Sequence, residues 1–414
     1  MRLGSPERPL RVLVVAHNAV AASNRQRVDA LAGQPQTEVT LLTPSWWFEE
    51  GGRIEVEVGP AERRVSTRPP ATTATAAALG GSRPPAWHVG RSLFTGNSTR
   101  YVYLSRLFGL VRRLRPDVID VHEEPFSFST LQALLARELL APRAALVCYS
   151  AVNVRRQWRP PYRWVERALL TRADAMYAPS QAVLPVLREK GYAGPAATIP
   201  LGIDADRFAA AEPLDLPGAP PRIGFLGRLE PVKGLDILIE ALARLATPAL
   251  LVLAGDGSRR EALRRQVETD GLGGRVAFIG EVTYDRVPGY LKALDVLVLP
   301  SVTILPEHKE QFGRVLIEAM AAGVPVVGSS SGAIPEVIGD AGLVVPERDP
   351  TALANALDRL LGDGELRRAL VERGRQRAGS HYAWPAIAAR TRDLYMEAIA
   401  HRRVLVARRQ EVAA

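Results

Sequence analysis

Short apolar runs and longer amphipathic stretches alternate along this chain. Residues 11–17 (RVLVVAH) form an uninterrupted valine-rich run, the pattern of a parallel strand covered on both faces. Residues 38–45 (EVTLLTPS), 117–125 (DVIDVHEEP), 145–150 (ALVCYS) and 173–180 (ADAMYAPS) repeat it. Helical periodicity separates several of them, as in YVYLSRLFGLVRRLR (101–115) and LQALLARELL (131–140). Residues 68–91, rich in Ala, Thr, Gly and Pro, read as a long loop. The proline-rich stretch 200–221 reads as a linker. The alternation then restarts with six strand-like runs, RIGFLG, ALLVLAG, RVAFIG, DVLVLPS, VPVVGS and AGLVVP, before a mostly helical tail over 349–414. The pattern predicts an α/β protein of two doubly wound, Rossmann-like units.

One stretch breaks the pattern. Residues 315–327 carry a single charge, Glu318. Periodicity predicts a buried helix from near Gly313 to near Ala322, closed by Gly323. An ionised carboxylate there is costly unless hydrogen-bonded. Its partner is either protein or the vicinal hydroxyls of a bound sugar, which suit two carboxylate oxygens. Glu310 precedes that helix by a short loop. The free N–H groups near Phe312 and Gly313 at the helix start are fit to meet phosphate or sugar oxygens.

In open parallel sheets, ligands bind beyond the carboxyl ends of strands. After RIGFLG, Arg228 and Lys233 bracket a loop and a helix start, a pairing suited to a diphosphate. After ALLVLAG, Gly255 and Gly257 permit a tight turn beside a flat ligand. Gly280 to Val282 follow the next strand and offer backbone to a base.

Composition narrows the rest. The 414 residues suffice for two units of about 200 residues each. A single cysteine, Cys148, excludes an internal disulfide and a multi-cysteine metal site. No apolar run nears the roughly 20 residues of a membrane span, and the N-terminus does not read as a signal peptide. Net charge is +9, and residues 1–200 carry it, with 26 Lys and Arg against 16 Asp and Glu; the remainder has 27 against 28. A basic first half favours anionic substrates or an anionic membrane surface. Only 6% of residues are aromatic and no recognition motif is present, which argues against a nucleic-acid partner.

The order GRLEPVKG, then GDG, then EQFGRVLIEAMAAGVPVVGSSSGAIPEVI resembles the donor half of the retaining glycosyltransferases of family 4 (group 1), with GT-B architecture. Glu310 and Glu318 match that family's E-x7-E motif. The resemblance implies two Rossmann-like domains facing each other across a cleft. An acceptor-binding domain would take residues 1–200, a linker 201–221, and a donor-binding domain 222–380. Tail helices over 381–414 would cross back onto the first domain. It implies a nucleotide-diphosphate sugar, UDP- or GDP-linked, as donor, and neither metal nor other cofactor. Arg228 and Lys233 would hold the diphosphate, and Glu318 the ribose. Glu310, with the main chain of Phe312 and Gly313, would hold the donor sugar. Gly255, Gly257, Gly280 and Val282 would frame the base. His122 matches the family histidine at the cleft, near the donor sugar or its leaving oxygen.

The first loop departs from the family pattern. Members often carry Gly-Gly there, whereas this chain has HNAVAASNRQR, whose Asn18, Arg25 and Arg27 offer polar contacts to an acceptor. The reading is a retaining nucleotide-sugar glycosyltransferase of the cytoplasm, peripheral at the inner membrane face. Its acceptor would be a glycan, glycolipid or lipid-linked saccharide. The alternatives are a non-catalytic relative that binds a membrane surface, and a sugar phosphorylase or epimerase on a related scaffold.

Overall fold

The computed structural model describes residues 8–49, 52–56, 84–219, 221–305 and 308–413. Strands β1 (Leu10–Val15), β2 (Thr37–Pro44), β5 (Ala86–Gly90), β8 (Val118–Val121), β9 (Ala145–Tyr149), β10 (Ala175–Ala178) and β11 (Ala196–Thr198) form one parallel sheet. Its order is β11-β10-β9-β8-β1-β2-β5. Hairpins β3 (Trp46–Glu49) with β4 (Gly52–Glu55), and β6 (Ser92–Leu93) with β7 (Val102–Tyr103), stand beside it.

The uninterrupted apolar runs follow from burial on both faces. Leu13 and Val15 of β1 enter one core, while Val12 and Val14 enter the other. That second core also contains Ile387, Leu394, Tyr395 and Ala398 of the last helix, Trp384–Ala413, which lies against the first sheet.

The six runs of the second half are all strands: β12 (Arg222–Leu226), β13 (Leu250–Ala254), β14 (Val276–Gly280), β15 (Val296–Leu299), β16 (Val326–Ser329) and β17 (Gly342–Val345). They make a parallel sheet of order β14-β13-β12-β15-β16-β17 around its own core. Two doubly wound, Rossmann-like domains facing each other are the fold.

Four expectations change. Residues 101–115 are helical only over Leu107–Leu114, because Tyr101 and Tyr103 are buried in an aromatic cluster with Trp47 and pull their segment into a hairpin. Within the expected loop 68–91, residues 86–90 are a strand paired to β2, and residues 68–83 lie outside the described residues. The stretch expected as a linker contains the helix Ala205–Ala209, capped by Asp204, whose Phe208 is wholly buried in the core of the second sheet. Neither hairpin was foreseen.

Candidate functional site

Each sheet reverses its winding once, β1 beside β8 in the first and β12 beside β15 in the second. Such a reversal opens a crevice at the carboxyl ends. His17 and His122 stand at the first reversal, Arg228 to Lys233 and Ser301 at the second. The two halves touch here: Asn153 donates to the Glu310 carbonyl at 2.9 Å, and Arg314 donates to Asn24 Oδ1 at 3.2 Å.

Glu310 is the hub of the second half. It is buried, and its Oε2 accepts from Lys233 Nζ at 2.6 Å and Ser301 Oγ at 2.8 Å. Burial works to raise its carboxyl. The Lys233 charge and hydrogen bond, with Ser301, outweigh it and hold the group below its ordinary value. Oε1 takes no hydrogen bond from the described residues. Gly332 must be glycine: at φ +54° a Cβ there would lie 2.0 Å from the Glu310 carbonyl. Lys233 therefore neutralises the acid. Arg228 is exposed at the loop's start, near His308.

The helix around Glu318 runs Arg314–Ala322, between Gly313 at φ +80° and Gly323 at φ +78°. Both caps need the left-handed region that glycine supplies without strain. Leu316, Ile317, Ala319 and Met320 are buried, and so is Glu318. Its carboxylate receives no hydrogen bond or ion pair from the described residues. Desolvation raises its pKa, and the more distant Arg314 and Arg207 charges offset this only in part. Arg314 and Glu318 are four residues apart and share a helix face. Arg314 reaches Asn24 of the first domain, and the charges acting on Glu318 are those of Arg314 and Arg207. Phe312 packs edge-on against Tyr382 in the core, which leaves its main chain at the site.

The glycines divide into two kinds. A Cβ on Gly255 would meet the Gly227 carbonyl at 2.0 Å, and one on Gly257 the Leu229 carbonyl at 2.7 Å. These two let neighbouring strand-end loops pack backbone to backbone. Gly280, at φ +75°, has nothing within 4 Å of such a Cβ and borders open space. Val282 is half-buried against the second core.

On the first domain, the His122 ring stacks on Tyr149 with centroids 4.2 Å apart. Arg27 donates to His122 Nδ1. A guanidinium only donates, so Nδ1 accepts and the ring proton sits on Nε2. Burial, then chiefly the Arg27 charge with that of Arg314, pushes the His122 pKa well down and keeps the ring neutral.

Arg27 is itself held by Asp120 at 3.1 Å and lies over the Tyr177 ring. Asp120 also accepts from Tyr177 at 3.0 Å and Tyr395 at 2.6 Å. Arg27 thus lines a cleft cavity with Asn18 and His122 as a buried support. Arg25 turns away, donating to the Ala19 and Val20 carbonyls at 3.0 and 2.6 Å beside Trp87. Asn24 donates to the Asn18 carbonyl at 2.9 Å.

Sequence reasoning missed Ser301, Asp120, Glu123, Glu124, Arg207 and His308. Glu123 is paired with His17. Glu124, held by Ser150 and the Ala151 amide, is pushed up to about 7 by burial. His308 Nε2 is buried with no partner among the described residues. The acids lay inside the quoted run DVIDVHEEP, where a charged pair at a strand end was the available signal.

The family described as "Glycosyl transferases group 1" matches residues 206–377, and "Glycosyltransferase Family 4" matches residues 33–207. The chain is 34% identical to a D-inositol 3-phosphate glycosyltransferase of Xylanimonas cellulosilytica over 49% of its own length and 52% of that protein's. It is 36% identical to a GDP-mannose-dependent alpha-(1-6)-phosphatidylinositol monomannoside mannosyltransferase of Mycobacterium tuberculosis over 48% and 56%. The chain spans about half the length of these curated relatives.

Among solved structures, sucrose-phosphate synthase of Thermosynechococcus elongatus superposes with TM-score 0.67 at 24% identity, covering 95% of this chain and 100% of that one. Anabaena HepE in complex with UDP superposes at 0.65 and 18%, covering 93% and 99%. The two matched segments overlap at residues 206–207 and together span 33–377, and 95% of the chain superposes on the first of these folds: this protein belongs to the group 1, family 4 glycosyltransferases with GT-B architecture.

Proposed function

We propose that the protein is a retaining glycosyltransferase that moves a sugar from a nucleotide-diphosphate sugar to a hydroxyl acceptor. The observation that carries this reading is Glu318, a buried carboxylate four residues from the cleft-bridging Arg314, with no hydrogen-bond donor among the described residues. A ribose diol supplies the two donors it lacks. Glu310 Oε1 then meets the donor sugar, with the main chain of Phe312 and Gly313 beside it. Arg228 and Lys233 face the diphosphate and offset charge as it leaves. Gly280 and Val282 border the base, and the Gly255–Gly257 turn shapes its floor. His122 presents Nε2–H toward the donor sugar or its leaving oxygen.

The named relatives use inositol-based acceptors, and hydroxyl-rich glycan, glycolipid or lipid-linked acceptors suit this cleft. Their donors and the bound nucleotide of the superposed structure span GDP and UDP, so both belong in the test. Thermal shift and donor turnover are measured across UDP- and GDP-sugars. The expected result is stabilisation by one nucleotide series and turnover of its sugar; no stabilisation by any of them refutes the reading.

A second feature favours acceptors at a membrane. Phe94, Leu104 and Phe48 are 66, 57 and 55% exposed on neighbouring hairpins, with Phe48 over Gly96, and Arg91, Arg112 and Arg113 are exposed on the same stretch of chain. An apolar tip among arginines fits an anionic bilayer. Co-sedimentation with vesicles containing phosphatidylglycerol, lost on Phe94→Ser with Leu104→Ser, is the expected outcome. Equal sedimentation of the double variant refutes it.

A further inference from the structure

The loop after β1 has a feature that the donor-side reading does not use. His17 follows β1 by two residues, at the switch point beside β8. Glu123, one residue past His122, is almost fully buried, and its carboxylate collects three donors. Oε1 accepts the His17 main-chain N–H at 2.7 Å and the Tyr101 hydroxyl at 2.5 Å, and Oε2 pairs with His17 Nδ1. A carboxylate only accepts, so Nδ1 carries the proton. The ring is fixed in plane by Trp47, centroids 4.2 Å apart, and by the edge of Tyr101 at 5.9 Å. The His17 side chain is 20% exposed and its Nε2 has no partner among the described residues.

We propose that Glu123 holds His17 with a bare Nε2 lone pair facing the cleft, where it accepts a hydrogen bond from the hydroxyl of the glycosyl acceptor. The adjacent histidine is set the opposite way. Arg27 forces Nδ1 of His122 to accept, so His122 offers Nε2–H to an oxygen, while His17 offers a lone pair to a hydroxyl. A hydroxyl that donates to His17 keeps an oxygen lone pair free to bond the sugar carbon as that carbon's bond to the nucleotide diphosphate breaks, and the hydroxyl proton passes to His17 Nε2. The same geometry explains the missing Gly-Gly. The His17 amide, which a glycine loop would leave for a phosphate, is already donated to Glu123. The acceptor group recognised by this loop is therefore a neutral hydroxyl. The acceptor role rests on the glycosyltransferase reading; the tautomer does not.

The test is a long-range proton–nitrogen correlation spectrum of the full chain labelled with 15N-histidine. Recording at pH 8.5, about two units above the ordinary histidine value of roughly 6.5, leaves neutral rings in view. His17→Gln and His122→Gln assign the signals. The expected pattern is a protonated Nδ1 and bare Nε2 for His17, and the reverse for His122. Glu123→Gln, whose amide can donate to Nδ1, moves His17 toward the Nε2–H form. A His17 ring carrying Nε2–H in the wild type, or an imidazolium persisting at pH 8.5, overturns the proposal, as does a Glu123→Gln spectrum with the His17 pattern unchanged.

With the donor found by the nucleotide panel, Glu123→Gln lowers kcat for transfer at least about tenfold, the consequence of a wrong tautomer, while the KM for donor stays within about twofold. A rise in donor KM with kcat held overturns the acceptor role. A panel that finds no donor refutes the glycosyltransferase reading alone, because the tautomer pattern is read without any ligand.

Discussion

Glu318→Gln separates the cost of a buried acid from its use. In the ligand-free protein the carboxylate is desolvated, and neighbouring charges compensate only in part, so its pKa stands above the ordinary 4.5. The folded state then binds this proton more tightly than the unfolded chain. The favourable contribution is complete below pH 4.5 and is lost as pH rises through the folded value. Above the folded value the ionised group opposes folding, and Gln, of nearly equal volume, removes that opposition.

Binding moves the other way. Two hydrogen bonds from a ribose diol to a carboxylate contribute about 1.5–3 kcal/mol each, against about 1 kcal/mol for one neutral acceptor. The net loss is at least about 2 kcal/mol, or roughly 30-fold in Kd. With nucleotide at 100 times the wild-type Kd, ligand stabilisation is about 2.7 kcal/mol in the wild type and about 0.9 kcal/mol in the variant. At roughly 2–4 °C per kcal/mol for a domain of this size, the wild-type shift of about 5–10 °C shrinks to about 2–4 °C. Scanning fluorimetry with and without UDP or GDP measures both arms. An apo Tm that falls by more than a few degrees, or a nucleotide shift equal to the wild type's, would falsify the assignment of Glu318 to the ribose.

Other substitutions probe the remaining parts. Lys233→Met leaves Glu310 buried without its cation and costs about 3–5 kcal/mol at pH 7, read by urea unfolding. Because Lys233 holds the acid below its ordinary 4.5, the pair's contribution is present above that value and lost as pH falls through the lower folded one. The gap between variant and wild type therefore narrows on acidification, and a constant gap counts against the pair. Gly255→Ala forces a Cβ to 2.0 Å from the Gly227 carbonyl and lowers Tm sharply. Gly280→Ala, into open space, costs only about 1–2 kcal/mol but weakens nucleotide binding; equal effects of the two on Tm defeat the distinction. Arg27→Met strands the buried Asp120 at a cost of about 3–5 kcal/mol, and guanidinium denaturation at neutral pH gives the value. A loss below about 1 kcal/mol shows that Tyr177 and Tyr395 suffice to hold the acid.

What the sequence disclosed follows from how locally each feature is encoded. The helix Arg314–Ala322 has its apolar run and both terminal glycines within eleven residues, so periodicity located it and singled out Glu318. The second sheet was legible for the same reason, since its four central runs are buried on both faces and the runs are bounded by Gly, Pro or Ser. Strand β5 was not, because its five residues are ordered by pairing with β2, far away along the chain. The segment at Tyr101 looked helical because its apolar spacing fits a helix. Tertiary burial of Tyr101 and Tyr103 won over that local preference. His17 meets Glu123 across 106 residues, and Arg27 meets Asp120 across 93. Only the pairing of β1 with β8 brings these partners together, and no spacing rule along the chain contains it.

The contacts across the cleft bear on how the site works. Asn153 binds the Glu310 main chain, and Arg314, one turn from Glu318, binds Asn24. Gln181 N–H reaches Glu336 at 2.8 Å. Each such bond contributes only about 0.5–1.5 kcal/mol net, so the lobes are held together weakly enough to separate for substrate entry. On the proposed reading, two of these bonds are made by the segment around Glu310 and Glu318 that would frame the donor. A nucleotide that satisfies Glu318 and orders the Glu310 loop therefore also steadies Asn153 and Asn24, the latter bonded to the loop that carries His17. The proposed reading thus couples donor occupancy to acceptor-side geometry through shared hydrogen bonds. By reciprocity, changes at Asn153 must appear in nucleotide affinity: Asn153→Ala, which touches no proposed ligand atom, weakens UDP or GDP binding a few-fold by calorimetry, and an unchanged Kd breaks the coupling.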